Sequence, residues 1–476
     1  MKKIKILMVA SEATPIVKVG GLGDVLGSLP PAMNKLGCEA RIIIPLSRGV
    51  DRKKYHLQLI LSGLKINFAG RNYFVNIWET RAAVPGTVLY LMENYHFFGH
   101  EEVYPSCSLA NDISLDEKFL FFDLAVLEIL PRLDFKPDII HCHDYFSGMI
   151  PVFLQTKRFA ALAKIKTLFT IHNFENQGKT APNLLELGDL HQNDLASLAR
   201  DAADGDINFM VQGIINADLV NAVSPNYAQE IMTRRYAAGL GRITKKFRRK
   251  IFGVLNGIDT DFFNPANDKY LKRNYSAENP EPKIANKLFL QKKLGWRPDA
   301  KKPLVAMIAR LSDQKGWELI TEKLISNDCQ FIFLGEGEKC YAEQLKDLAK
   351  KFPEKVRVKI GFDPELASRI YAGADMFLIP SRFEPCGLTQ MIAARFGTVI
   401  IARATGGLKD TVKPDIGFIF NDFSAAALNF ALKNALNCYN NYEKKWLKLK
   451  NNCLKKDFSW AKTARGYLQL YKKLVG

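Results

Sequence analysis

The 476 residues contain no Cys-x-x-Cys pair, and the eight cysteines (38, 107, 142, 329, 340, 386, 438, 453) are scattered. That spacing excludes a zinc ribbon or a disulfide framework and fits reduced thiols. No apolar run approaches the roughly 18–20 residues that cross a bilayer, so no membrane partner is expected. The opening MKKIKILMVASEA has a basic start, but its apolar stretch is shorter than the roughly 7–15 residues of a secretory signal. It reads as a first β-strand, and a cytoplasmic location is expected. Neither a low-complexity tract nor an internal repeat is present, which excludes solenoids and propellers. Acidic side chains are in short supply: 67 Lys and Arg face 49 Asp and Glu, a net charge of +18. Such a balance attracts anions, phosphate-bearing small molecules among them. Two basic runs, 245–250 and 444–448, read as solvated helix faces rather than nucleic-acid or membrane footprints.

What is present is a globular composition, 47% hydrophobic and 24% charged, on a chain long enough for two or three domains. Short β-rich runs alternate with amphipathic stretches, the pattern of a parallel sheet with covering helices. Residues 4–9, 40–45, 138–141, 166–171 and 218–224 read as strands, with a helix from about 22 to 36. A stretch rich in Pro, Asn, Asp and Lys, 264–283, looks like a linker or long loop. A second alternation follows, with strands over 304–308, 330–334, 356–360, 376–379 and 398–401, and the chain closes on an amphipathic helix over 458–474. The expectation is α/β: two Rossmann-like domains with a cleft between them, ligands meeting the carboxyl ends of the strands.

Polar residues gather at those strand ends. Lys18-Val19-Gly20-Gly21-Leu22-Gly23-Asp24 lies between a strand and a helix, where free N–H groups and Lys18 suit a diphosphate. The same spacing also suits a tight turn without ligand, and it is neither G-x-G-x-x-G nor a Walker loop. His141-Cys142-His143-Asp144 and His172-Asn173 end two other strands. Histidines two apart share a strand face, but no further ligand stands at a convincing spacing, so hydrogen bonding to a hydroxyl-rich substrate is the better functional reading beside a purely structural one. Arg310 and Lys315 follow the strand 304–308, and two cations there call for an anion. Glu384, in Ser381-Arg382-Phe383-Glu384-Pro385-Cys386-Gly387-Leu388-Thr389, follows a strand and precedes a helix, with Pro385 suited to an early helical position. Gly406-Gly407 offers another backbone anion site. Asp204/Asp206 and Asp259/Asp261 have a D-x-D spacing that arises often by chance, and Gly335-Glu336-Gly337-Glu338 is too short to identify anything. No metal and no cofactor is expected.

Taken in order, SEATPIVKVGGLGDVLGSLP (11–30), HCHDYFSG (141–148), TIHN (170–173), LNGIDTDFFNPAND (255–268), ARLSDQKG (309–316), IYAGADMFLIPSRFEPCGLTQ (370–390) and TGGLKDTV (405–412) resemble the bacterial glycogen synthase and plant starch synthase family over nearly the whole chain. The resemblance implies the GT-B glycosyltransferase fold, two Rossmann-like domains facing across a deep cleft. It implies an acceptor-side domain over 1–255, a nucleotide-sugar domain over 256–457, and a helix over 458–476 packing back on the first. The implied activity is retaining transfer of glucose from ADP-glucose to the non-reducing 4-hydroxyl of a growing α-1,4-glucan, releasing ADP. Alternatives are UDP-glucose or another acceptor on the same fold, or a polysaccharide- or nucleic-acid-binding protein that has lost catalysis.

Carried over residue by residue, the resemblance implies that Lys18, Gly20, Gly21 and Asp24 serve the diphosphate, with Arg310 and Lys315 stabilising the departing ADP. Glu384 would contact the glucosyl unit, and Cys386, Gly387, Leu388 and Thr389 would present backbone amides to sugar or phosphate, with Thr405 and Gly406 beside them. His172 would stabilise positive charge near the anomeric carbon, and Asp144 and Asn173 would help bind sugar or acceptor. Phe362 would stack on adenine where a Tyr is frequent. The chain departs from the family at Tyr145-Phe146, usually Trp-His, at Asn176, usually aromatic, at Ala404, commonly Arg, and at Gly23, often Ala. These changes are expected on the acceptor side and the donor rim. No carboxylate pair divides into nucleophile and acid, so a front-face displacement fits better than the two-carboxylate glycosidase scheme.

Overall fold

The computed structural model describes residues 3–100, 103–104 and 113–476, and Cys107 falls outside the described residues. The chain forms two compact units, the first from 1–256 together with 463–476, the second from 257–462.

Unit 1 holds β1 (Lys5–Val9), β2 (Glu39–Pro45), β3 (Gln58–Phe68), β4 (Arg71–Thr80), β5 (Val88–Glu93), β6 (Ile139–His143), β7 (Lys166–Ile171), the short pair β8 (Lys179–Thr180) and β9 (Ile207–Asn208), β10 (Leu219–Ala222) and β11 (Ile251–Gly253). Nine of these make one sheet in the order β11-β10-β7-β6-β1-β2-β5-β4-β3. Its central strands carry buried apolar runs, as in KILMV of β1 and Ile42 to Ile44 of β2, because a parallel strand covered on both faces has no wet side. The edge is different. β3 and β4 form an antiparallel hairpin, closed by Ala69 and Gly70 with φ of +53° and +68°. Two successive positive φ values match the right-handed strand twist, which is why a glycine stands there. This hairpin was absent from the sequence reading, as was β5, which pairs in parallel with β2.

Unit 2 contains β12 (Leu304–Ile308), β13 (Gln330–Gly335), β14 (Val356–Ile360), β15 (Met376–Ile379), β16 (Val399–Arg403) and β17 (Gly417–Phe420). They form one parallel sheet in the order β14-β13-β12-β15-β16-β17. The polar stretch 264–283 lies within this unit. The Tyr275 hydroxyl, buried, donates to the Phe396 carbonyl at 2.8 Å, Asn286 Oδ1 accepts from the Lys272 N–H, and Lys283 opens the helix Lys283–Lys293. Its lack of periodicity marked irregular backbone and said nothing of how firmly side chains hold it. Pro385 is likewise not helical: the helix starts at Thr389, and Glu384 to Leu388 form a loop after β15.

Candidate functional site

In unit 1, β7, β6 and β1 are neighbours running in parallel, so their carboxyl ends bring His172-Asn173, Asp144 and the glycine loop to one end of the sheet. The loop is organised by a residue that sequence reasoning passed over. Glu12, 2% exposed, accepts hydrogen bonds from the Val19 N–H and, at 3.1 Å, the Gly20 N–H. Burial raises its carboxyl above the usual range, and those N–H groups oppose the rise. The amides expected to be free for a phosphate are therefore engaged by an internal carboxylate. Lys18 is engaged too, its Nζ 2.7 Å from Asp24 Oδ1. Gly20 precedes, and Gly21 opens, the helix Gly21–Lys35. A Cβ on Gly23 would stand 3.0 Å from Glu12 Oε2, so an alanine there asks Glu12 to move.

Asp144 has φ +56° and ψ −176°, a conformation L-residues rarely adopt. It is held by its N–H donating to Thr170 O at 2.9 Å and by Oδ1 accepting from the His172 N–H at 2.6 Å and the Asn173 N–H at 3.3 Å. Burial pushes this carboxyl up to about 7, against those two N–H bonds and with the Glu12 charge adding to the rise. Asp144 thus orders the backbone that carries His172 and Asn173.

The three histidines divide by role. His141 has both ring nitrogens occupied, Nδ1 at 2.7 Å from the Tyr471 hydroxyl and Nε2 at 2.7 Å from Thr170 Oγ1. It pins the helix Trp460–Val475 to the sheet, with Tyr467 bonded to Asn221 and Asn256 alongside. His143 lies against it, ring centroids 4.0 Å apart, and its Nδ1 is 2.9 Å from His172 Nε2. Burial lowers all three: His172 to about 3, the other two well below the usual imidazole range, where neighbouring imidazoles add to the effect. They stay neutral at physiological pH. Among the described residues no group of three or more His, Cys, Asp and Glu could hold a metal ion. The D-x-D carboxylates cap their own turns: Asp259 Oδ1 accepts from the Asp261 and Phe262 N–H groups, and Asp204 Oδ1 from the Asp206 N–H.

Tyr145 and Phe146, the departures expected on the acceptor side, are buried. Phe146 stacks on Tyr104 with centroids 5.0 Å apart, and a Cβ on Gly178 would come within 2.3 Å of the Tyr145 ring. Asn176 is exposed. The basic run 245–250 is partly structural, since Lys250 Nζ donates to the Ile215 and Ala217 carbonyls at 2.8 and 2.6 Å, at the carboxyl end of the helix Phe209–Asn216.

In unit 2, β12, β15 and β16 are neighbours, and the loops after them hold Arg310 and Lys315, Glu384 to Thr389, and Thr405-Gly406. Lys315 Nζ lies 2.7 Å from Glu384 Oε2, which also accepts from Ser381 Oγ at 3.0 Å. Glycines let these loops interlock. Gly406 has φ +46°, and a Cβ on it would fall 1.9 Å from the Glu384 carbonyl oxygen; one on Gly407 would fall 2.2 Å from that of Cys386. The Gly407 N–H donates to Glu384 O at 3.0 Å, and Gln390 Nε2 to the Cys386 and Gly387 carbonyls, both at 2.9 Å. The buried Arg403 guanidinium donates to the Arg382 and Ser381 carbonyls, bracing the loop from behind. Arg310 is exposed, with its carbonyl accepting from Trp317 Nε1 at 2.8 Å. Phe362 stands apart, after β14, two strands from β12 and 74% exposed. The glycines of 335–338 serve packing: a Cβ on Gly337 would lie 2.4 Å from the Leu311 carbonyl oxygen.

Glu12 and His143 in unit 1, and Ser381 and Arg403 in unit 2, support the candidate residues of their own unit, and only His143 of the four carried a reading from sequence, as a possible hydrogen-bonding partner of a hydroxyl-rich substrate. Three of them lie inside stretches the motifs already marked, and their roles depend on partners distant in the chain.

Comparison with known proteins gives a consistent picture. A family model described as the starch synthase catalytic domain matches residues 5–246, and one described as glycosyl transferases group 1 matches 291–452. A glycogen synthase of Thermosipho melanesiensis is 38% identical, covering 99% of this chain and 99% of that protein. One from Streptococcus agalactiae is also 38% identical, covering 99% of this chain and all of that protein. Among solved structures, the catalytic domain of starch synthase IV from Arabidopsis thaliana, bound to ADP and acarbose, superposes with a TM-score of 0.90 at 34% identity over the full length of both chains. A sucrose-phosphate synthase from Thermosynechococcus elongatus, at 18% identity and a TM-score of 0.63 over 99% of both chains, shares the fold.

Proposed function

This chain belongs to the glycogen and starch synthase family of GT-B glycosyltransferases, and on that premise we propose that it transfers glucose from ADP-glucose, with retention, to the non-reducing 4-hydroxyl of an α-1,4-glucan. The observation that carries the reading is the Lys315–Glu384 pair, a cation and a carboxylate set on interlocked glycine loops at the carboxyl ends of β12 and β15. Parallel sheets place ligands there.

In this reading the domain 256–457 holds the nucleotide sugar and 1–255, with the helix 458–476, the acceptor. The acceptor 4-oxygen bonds to the anomeric carbon on the face from which the C1–O bond to ADP breaks. The leaving diphosphate takes the acceptor's proton. Arg310 and Lys315 neutralise charge as it grows on that diphosphate, an effect strongest in a site with little water. Glu384 contacts the glucosyl unit, the loop 386–389 and Thr405-Gly406 donate backbone N–H groups, and Phe362 faces the base. In unit 1, Lys18 and the loop through Asp24 bind anion, while His172, Asn173 and Asp144 face sugar. Lys18 is half exposed and Asp24 is its partner, so exchange of one anion for another is the step this loop has to make. Among the described residues no helix is long and apolar enough to cross a membrane, and a cytoplasmic site of action is part of the proposal.

The test is nucleoside diphosphate release with a maltooligosaccharide acceptor, ADP-glucose and UDP-glucose in parallel. ADP release with chain lengthening is expected. A preference for UDP-glucose overturns the donor, and no release from either overturns the activity.

A further inference from the structure

His143 touches His172 and is buried among groups that have no catalytic assignment. Its Nδ1 and His172 Nε2 lie 2.9 Å apart, a hydrogen bond that needs one proton between two nitrogens. Both residues are held by their backbone. The backbone N–H of His143 donates to Ser147 Oγ at 2.6 Å, and the His143 ring lies on His141, itself tied at both ring nitrogens. The backbone N–H of His172 donates to Asp144 Oδ1.

The other nitrogen of His143 decides which way the bond runs. His143 Nε2 is buried and has no hydrogen-bond partner. A proton there would leave a buried N–H without acceptor, whereas a proton on Nδ1 leaves only an unfilled lone pair. Buried orphan donors are the rarer arrangement in folded proteins, and the costlier one. A second proton, making either ring cationic, is opposed by burial at both and, at His143, also by the neighbouring imidazoles. We propose that His143 is a positioning residue: it donates its Nδ1–H to His172 Nε2 and so holds His172 as the neutral Nδ1–H tautomer.

The consequence is chemical. His172 is part exposed, and with Nε2 already accepting, its remaining polar group is an N–H that can only donate. It cannot act as a base toward the acceptor hydroxyl. It offers a fixed donor to a sugar oxygen, and the proton of the incoming hydroxyl is left to the leaving phosphate. This step rests on the placement of His172 beside the sugar; the tautomer itself does not.

The experiment uses the full chain labelled with 15N-histidine and reads ring tautomers by long-range 1H–15N correlation without substrate, His172→Gln supplying the assignment. Expected is a His172 protonated at Nδ1 with Nε2 unprotonated; protonation at Nε2 overturns the proposal. Kinetics add a readout that a structural role would not move. His143→Asn keeps an N–H near the Nδ1 position and should retain kcat within about fivefold, while His143→Leu should lose about 10–100-fold in kcat with the donor KM little changed. Equal losses in the two variants, both folded, overturn it as well. Should His143→Leu not fold, the tautomer measured on the unmodified chain decides. An inactive wild-type chain with the Nδ1–H tautomer would sink the functional reading and leave this one standing.

Discussion

Lys315 and Glu384 meet at 2.7 Å across two loops, 69 residues apart in sequence, with side chains only 18% and 7% exposed. Removing one member of such a pair leaves the other charge without its counterion in a poorly hydrated place. Breaking buried pairs costs about 3–5 kcal/mol, and the partial exposure of Lys315 puts this one at the low end. Glu384→Gln keeps the shape and an acceptor for Ser381. It should fold, and its turnover should fall by about 100-fold or more. Near-normal turnover in a folded Glu384→Gln chain would remove this carboxylate from the mechanism.

Glu12 makes a second prediction. With its carboxylate gone in Glu12→Ala, the Val19 and Gly20 amides lose their acceptor, and hydrogen exchange at those two positions should quicken by about tenfold or more, since about 1.4 kcal/mol is a factor of ten. Unchanged exchange would mean the loop is held by something else.

Gly406→Ala sets a Cβ 1.9 Å from the Glu384 carbonyl at a backbone φ of +46°. Backbone has to shift, at about 2 kcal/mol or more of stability. Urea titration should show that loss together with a drop in turnover, because the carbonyl that must move belongs to Glu384 itself.

The buried histidines give a pH dependence with a definite sign. Unfolded, an imidazole protonates near 6.5; folded, His141 and His143 do so well below that and His172 only at about 3. Their contribution to stability is therefore complete above 6.5 and lost as pH falls, by up to about 1.4 kcal/mol per pH unit for each proton. The urea midpoint should drop between pH 6.5 and 5, and His141→Gln should lessen that slope by one proton. An identical slope in the variant would show that His141 protonates in the folded chain.

Asp144 works in the opposite direction. Its folded value of about 7 lies above the ordinary carboxylate value, so its contribution is complete at acid pH and lost as pH rises through 7. Asp144→Asn can still accept from the His172 and Asn173 amides, and Asn tolerates positive φ. The variant should melt higher than wild type at pH 8 and show little difference at pH 4. A lower Tm at pH 8 would mean the charge is stabilised by a partner other than those amides.

Strand cores and strand ends were legible because a parallel strand buried on both faces is a run of apolar residues, and its polar terminus breaks that run abruptly; 166–171, 304–308, 356–360 and 376–379 were read to the residue. The β3–β4 hairpin was not, because an edge strand has one wet face and its apolar residues are diluted, as at exposed Leu59, Ile60 and Phe74. The chemistry of the site was legible only in part. Spacing marks Glu384 and Lys315 as candidates, but not that they pair, and it marks a glycine loop, but not that Glu12 already fills it. His141 shows the limit most clearly: a histidine within a stretch read as a candidate substrate-binding motif proved to be a pin for a helix 330 residues away.

That pin has a bearing on how the protein is made. Tyr467 and Tyr471, which close over Asn221, Asn256 and His141, are translated only after all of 257–462. The first unit to emerge from the ribosome is thus the last to be finished. Until then His141 and Asn221 are without the two tyrosine hydroxyls that they bond in the finished fold.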